Sequence, residues 1–313
     1  MRALALVGPT AVGKTELSIA LARRLDGEII SMDSRQIYRG MDVGTAKVEP
    51  VARRAVPHHG LDLIGPDERY SAARFARDAR RWLKEIEARD RLGLLVGGTG
   101  FFLRALIDPV FREPPLDEAR RQRLRDWLAA QSSQELARWV DALDPRRSRV
   151  ARAGGTQRLS RTLEMALLTG RPLSWWHQHA PAQADPIDVN VAVLTRPRED
   201  LYHRIDTRAE AMFSGGRLDE GSALLEQGYS EGDPGMTGTG YREAVAVLRG
   251  DLEVEEAVDQ VQRATRGYAR RQLTWFRNQL PESVLEVDAT LPTAGQVAVV
   301  TTWYRGIGGR GKG

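Results

Sequence analysis

Four short apolar runs set the rhythm of the first two hundred residues: 2–7, 28–32, 92–96 and 189–194. Each is strand-length and nearly continuous in Ala, Val, Leu, Ile or Met, the pattern of strands buried on both faces. Helical spacing fills the gaps. Leu17, Ala20, Leu21 and Leu25 share one face; Phe75, Ala79, Trp82 and Ile86 share another, behind Ser71, which can cap the first turn. Strands alternating with helices predict an α/β fold in which a parallel sheet carries helices on both faces.

The rhythm changes at Pro114-Pro115. Residues 116–180 read as helix throughout, with capping-box spacing at Ser132 and Glu135 and a helix from Gln157 to Thr169 stopped by Gly170. The expected organisation is a core over 1–113 and 186–300, an all-helical insertion over 114–185, and a flexible, glycine-rich tail over 301–313. Further helices are expected over 199–228 and 241–279.

Composition narrows the setting. No apolar run approaches the roughly 18–20 residues that span a bilayer, and Gly8-Pro9-Thr10 cuts the first run too short for a secretory leader. With no cysteine, disulfides and thiolate metal sites are excluded, and a cytoplasmic setting fits. The net charge is +4 and the pI near 9.5, a mild bias toward a polyanionic partner. Four of the cations are Lys and 42 are Arg. A GC-rich coding sequence gives that bias too, and Arg in any case supplies planar forks suited to phosphates and bases.

Gly8-Pro9-Thr10-Ala11-Val12-Gly13-Lys14-Thr15 fits G-x-x-x-x-G-K-[ST], with a strand before it and a helix after it. Such a loop turns backbone N–H groups and a helix N-terminus toward phosphate oxygens. Lys14 would neutralise phosphate charge and the Thr15 hydroxyl would ligate Mg²⁺. The loop specifies a diphosphate or polyphosphate, not ATP. The run 92–96 ends in Gly97-Gly98-Thr99 rather than in an acid. The nearest acidic candidate is Asp33, which ends the second strand. There it could take a proton from a substrate at the carboxyl edge of the sheet, or it could simply cap the turn that Asp33-Ser34 begins.

The stretch from Asp33 to Lys47, DSRQIYRGMDVGTAK, closely resembles a signature of the tRNA dimethylallyltransferases (tRNA isopentenyltransferases), in their bacterial form. Other stretches resemble that family in order and spacing from residue 4 to about 280. They are Leu95-Val96-Gly97-Gly98-Thr99-Gly100, Gln157-Arg158-Leu159-Ser160-Arg161, Arg204-Ile205-Asp206-Thr207-Arg208, Gly240-Tyr241-Arg242-Glu243 and 270–277. Two positions depart from the pattern: Met236-Thr237-Gly238-Thr239 carries extra small residues, and Ala209 stands where an aromatic residue is common.

The resemblance implies transfer of a dimethylallyl group from dimethylallyl diphosphate to N6 of the adenine beside the anticodon of tRNA. Mg²⁺ would be the cofactor and the anticodon stem-loop the partner, with no membrane involved and the chain acting as a monomer. Asp33 matches the proposed general base, Thr99 a residue beside the acceptor, Thr10 a donor-site position, and Arg208 a diphosphate contact. Read without the family, Thr99 is an N-cap and Arg208 a surface arginine paired with Asp206 or Glu210. The acceptor base would be extruded into a channel, with Ser34, Arg35 and Gln36 at its mouth. RNA contacts carried over in the same way are Arg121, Gln157, Arg158, Leu159, Ser160, Arg161, Gly240, Tyr241, Arg242, Arg270, Arg271, Gln272, Trp275 and Arg277. Without the family, the 157–161 helix is a solvated arginine face, and Trp275 and Phe276 are core residues. His58-His59 is a poor metal pair, because neighbours in an extended segment point apart.

Two other enzymes share the loop. A small-molecule kinase using ATP would need it, but leaves the 33–47 stretch unexplained. An isopentenyltransferase acting on free adenine nucleotides would not need the helical insertion. A non-catalytic RNA-binding or nucleotide-sensing protein is hard to reconcile with intact Lys14, Thr15 and Asp33.

Overall fold

The computed structural model describes residues 2–280 and 283–310. The chain forms two compact units, Met1–Asp108 with Pro186–Gly313, and Pro109–Asp185.

The first unit opens with β1 (Arg2–Val7), α1 (Lys14–Leu25), β2 (Gly27–Ser31), α2 (Pro50–Ala55), β3 (His58–His59), α3 (Ala72–Glu87), β4 (Leu92–Gly97) and α4 (Gly100–Ile107). The helical unit holds α5 (Glu118–Ala129), α6 (Ser133–Leu143), α7 (Ser148–Ala153), α8 (Gly155–Thr169) and α9 (Leu173–His179). The chain then completes the first unit with β5 (Asp188–Thr195), α10 (Arg198–Met212), α11 (Leu218–Glu226), α12 (Tyr241–Leu248), α13 (Val254–Gln279), β6 (Leu285–Asp288) and α14 (Thr293–Arg310).

All six strands are parallel, in the order β3-β2-β4-β1-β5-β6. Strand alternation builds both cores. Ala3, Ala5 and Val7 face α3 and α4, where Phe75 stacks on Phe102 at 4.3 Å between ring centroids. Leu4 and Leu6 face the other way, onto Leu17 and Leu21 of α1, Ile205 of α10 and Val300 of α14. The chain leaves β1 toward one edge of the sheet and returns to its other side at β5. The carboxyl ends of β1, β2 and β4 therefore meet at the crevice where open α/β sheets bind ligands.

Several local expectations hold. Ser71 accepts from Arg74 N at 3.1 Å, Ser132 and Glu135 form the capping box, and Gly170 ends α8 at φ 67°. Others need correcting. β3 and β6 are short edge strands with few buried positions, so no apolar run marks them in the sequence. Residues 301–310, expected as flexible tail, continue α14. Val300 is buried and Trp303 and Tyr304 pack on the α1 face, anchors that the following glycines obscure in sequence. Residues 311–313 lie outside the described residues. The helical unit starts ahead of Pro114-Pro115, because residues 110–112 bond to 181–183: Arg112 N donates to Pro181 O and Gln183 N to Val110 O.

Candidate functional site

Three loops at the carboxyl edge of the sheet make the site. The first, Gly8–Thr15, links β1 to α1. Gly13 adopts φ 112°, a conformation open to glycine and costly for other residues, and this aims the first turn of α1 into the loop. Lys14 Nζ arches back to donate to Gly8 O at 2.9 Å and Pro9 O at 2.6 Å. From α10, Arg204 Nε donates to Ala11 O at 2.9 Å. Thr15 is exposed at the start of α1.

The second loop follows β2. Asp33 Oδ1 accepts from Arg35 N at 2.8 Å, so the carboxylate does cap the turn it begins, and its charge is also felt by Lys14, Arg208 and Tyr268. The loop onward to Lys47 is pinned from several sides. Lys47 Nζ donates to Tyr38 O, Asp42 and Asp62. The Glu220 carboxylate accepts from the backbone N–H groups of Asp42, Val43 and Gly44. Buried Arg217 donates to Gly44 O at 2.8 Å and lies between the rings of Phe213 and Tyr241.

The third loop, Gly97-Gly98-Thr99, follows β4. Thr99 occupies the N-cap position of α4 but its hydroxyl does not cap the helix; it accepts from Ser34 N at 3.2 Å and so joins the second and third loops.

Electrostatics mark the centre. Burial pushes the Lys14 ammonium down to about 7; the Asp33 carboxylate opposes that and the Arg208 guanidinium adds to it. Burial likewise lowers Arg208, again opposed by Asp33, with Arg217 and Arg204 lowering it further. Among the described residues no carboxylate is hydrogen-bonded to Arg208; the expected pairing with Asp206 or Glu210 is absent, and Asp206 bonds Arg266 instead. Two desolvated cations sharing one acid form a strong site for a phosphate-rich anion.

Tyr268 of α13 escaped the sequence reading. Its hydroxyl hydrogen-bonds with Thr99, and desolvation of that end together with the Asp33 charge pushes the phenol up to about 12, while the residue as a whole is 39% exposed. The signal was helical spacing: Tyr268, Gln272 and Trp275 fall on one face of α13.

Several residues expected to contact RNA also have partners within the protein. Leu159 and Tyr241 are buried, the latter donating to Glu220, and Gly240 packs on Arg217. Gln36 is spent inside its loop, accepting from Ser31 Oγ and donating to Thr45 O and Ala46 O. Arg35 Nη1 donates to Pro234 O at 2.9 Å. Gln272 is 6% exposed, with both ends of its amide bonded to protein backbone. In the helical unit, Arg121 and Arg161 bond Glu164 and Glu113. Gln157, Arg158, Arg242, Arg270, Arg271 and Arg277 are exposed; Ser160 and Trp275 are half-buried.

The edge histidines serve the sheet: His59 Nε2 bonds Glu28 at 2.7 Å and His58 Nδ1 bonds Val56 O. Among the described residues no group of three or more His, Cys, Asp or Glu could hold a metal, and no helix is long and apolar enough to cross a membrane.

Comparison with known proteins agrees with this geometry. A family model described as IPP transferase matches residues 36–279, and one described as Isopentenyl transferase matches residues 1–53. A tRNA dimethylallyltransferase of Geobacillus kaustophilus is 40% identical over 304 residues, 96% of this chain and 95% of that protein. One from Anaeromyxobacter sp. is 44% identical over 279 residues, 89% of this chain and 91% of its own. The crystal structure of a tRNA isopentenylpyrophosphate transferase from Bacillus halodurans superposes with TM-score 0.70 at 36% identity, covering 97% of this chain and 96% of that one. A eukaryotic dimethylallyltransferase acting on tRNA shares the fold, with TM-score 0.78 over 92% of this chain and 74% of that one at 24% identity.

Proposed function

The chain belongs to the IPP transferase family, and on that premise we propose that it transfers a dimethylallyl group from dimethylallyl diphosphate to N6 of an adenine beside the anticodon of tRNA. The observation that carries this reading is the pair of desolvated cations, Lys14 and Arg208, facing the Asp33 carboxylate.

The residues divide the reaction between them. The loop amides, Lys14 and Arg208 hold the diphosphate and stabilise the charge that grows on it as the allylic C–O bond breaks. Asp33 accepts a hydrogen bond from the exocyclic N6–H, localises the nitrogen lone pair, and takes the proton as the new C–N bond forms. Thr99, tied to Ser34, keeps the acceptor side next to that carboxylate. The adenine reaches the crevice by leaving its stack. Gln157 and Arg158 on the helical unit, and Arg242, Arg270, Arg271 and Arg277 on the α/β unit, are exposed and suited to phosphate contacts.

Mg²⁺ fits as a guest of the diphosphate. The exposed Thr15 hydroxyl would be a protein ligand to the ion beside the bound diphosphate. Bound there, it would offset charge on the leaving group. The cytoplasm is the setting we assign.

The test is incubation of purified protein with unmodified tRNA, Mg²⁺ and labelled dimethylallyl diphosphate, followed by nucleoside analysis. N6-dimethylallyladenosine in tRNA is expected, and little product with AMP as acceptor. Transfer to AMP alone would point to free nucleotides as substrates. Unaltered tRNA together with phosphoryl transfer from ATP to a metabolite would overturn the reading.

A further inference from the structure

Gln272 lies on α13, far in sequence from the loops it touches. Its Oε1 accepts from Thr10 N at 2.9 Å and its Nε2 donates to Gly98 O at 2.9 Å. One buried amide thus joins the donor loop after β1 to the acceptor-side turn after β4. The approach is close. A Cβ on Gly98 would sit 2.2 Å from Gln272 Nε2, and one on Gly100 would sit 2.3 Å from the Trp275 ring. The Gly98-Thr99-Gly100 backbone therefore lies flat against α13, clamped on both sides of Thr99.

We infer that Gln272 is a positioning residue for the transfer, holding the diphosphate loop in register with the turn that carries Thr99. The inference rests on the proposed reaction, in which a carbon held by one loop must meet a nitrogen held beside the other. Reacting atoms need to lie about 3–3.5 Å apart, and a 1 Å misplacement can cost about 10²-fold in rate. A side chain that bonds both loops and is shut away from solvent acts on that distance and not on RNA.

The test compares wild type with Gln272→Leu, which keeps the bulk and loses both hydrogen bonds, and with Gln272→Glu. For Gln272→Leu, kcat falls about 10–100-fold while the KM for tRNA stays within twofold. For Gln272→Glu the protonated acid can both accept from Thr10 N and donate to Gly98 O, whereas the carboxylate cannot donate. Burial raises the pKa of such an acid, so the ratio of variant to wild-type kcat climbs as pH falls. A Gln272→Leu kcat within twofold of wild type overturns the inference. So does a loss confined to the KM for tRNA, or a flat Gln272→Glu ratio across pH. If wild type alkylates no tRNA, the proposed function fails by itself. The bridge is then read by amide exchange at Thr10, protected in wild type and fast in Gln272→Leu; equal protection in both overturns it.

Discussion

Around Asp33, Lys14 and Arg208 are desolvated and share a single acid, whereas in the helical unit three arginines converge on one. There Arg121, Arg125 and Arg161 all bond the buried Glu164 carboxylate, at 2.8, 2.6 and 2.5 Å, and Arg121 and Arg161 also reach Glu113. Burial would raise the Glu164 pKa; the arginines hold it down instead. The same side chain is left wanting an anion in one unit and saturated in the other. Charge follows a different line. Residues 109–185 contain 13 Arg and no Lys against nine Asp and Glu, a surplus equal to the +4 of the whole chain. The helical unit is basic overall because of its exposed arginines, such as Arg158, and not because of the trio on Glu164. A positive patch that attracts RNA and a buried ion cluster that holds helices together are separable, and sequence composition merges them.

The sharpest test of the contrast is Arg208→Ala. If its unpaired guanidinium exists for the leaving diphosphate, kcat/KM falls about 10²–10³-fold, as for loss of one preorganised donor to developing charge. Folding stability should hold or rise, because a desolvated cation that has to share its one acid with Lys14 is removed. Urea titration and steady-state kinetics on the same protein check both signs. Reduced stability with intact turnover would make Arg208 a structural residue like Arg121.

Glu164→Gln runs the experiment from the other side. Three arginines lose their shared anion, and the helical unit should lose about 3 kcal/mol, the low end for a broken buried ion pair because the arginines keep some solvent access. Amide exchange in α5 and α8 localises the loss. Unchanged protection there would mean the cluster is as dispensable as a surface pair.

Lys14 offers a finer probe, through pH. Its ammonium is held down to about 7, so above that pH the unliganded protein carries it largely neutral. A diphosphate beside it favours the charged form. Donor binding at pH 8 should therefore take up a proton and at pH 6 should not, and affinity should fall by up to about tenfold per pH unit above 7. Calorimetry in two buffers of different ionisation heat counts the proton. No uptake at pH 8 would mean that Lys14 is already charged or does not meet the donor.

The phosphate loop, the strand before it and the Asp33 turn were legible because each is written in consecutive residues. What holds them was not. Gln272 meets Thr10 across 262 positions, Glu220 meets Gly44 across 176, and Arg217 meets the same glycine's carbonyl across 173. No local pattern encodes such pairs. Resemblance marked some of these positions, such as Tyr241 and Gln272, but a motif records which residues matter and not what they touch within the fold. Arg121 and Arg161 show the same limit: their chemistry suits phosphate, and no local pattern announces that both also bond Glu164.

Tyr268 separates charge from hydrogen bonding within the site. The phenol is neutral near pH 7, bonded to Thr99 and exposed to the field of Asp33, so it can orient groups without neutralising any. Tyr268→Phe keeps the ring over which Arg271 lies and removes only the hydroxyl. A single neutral hydrogen bond is worth about 0.5–1.5 kcal/mol, so kcat should fall about 2–10-fold with the donor KM unchanged. Thr99→Val removes the other end of the bond. If the two hydroxyls act as one unit, the double variant is no slower than the slower single variant; if they act independently, the losses multiply. Multiplying losses would detach Tyr268 from Thr99. A raised donor KM would place it with Lys14 and Arg208, and the division between charged and neutral supports would have to be redrawn.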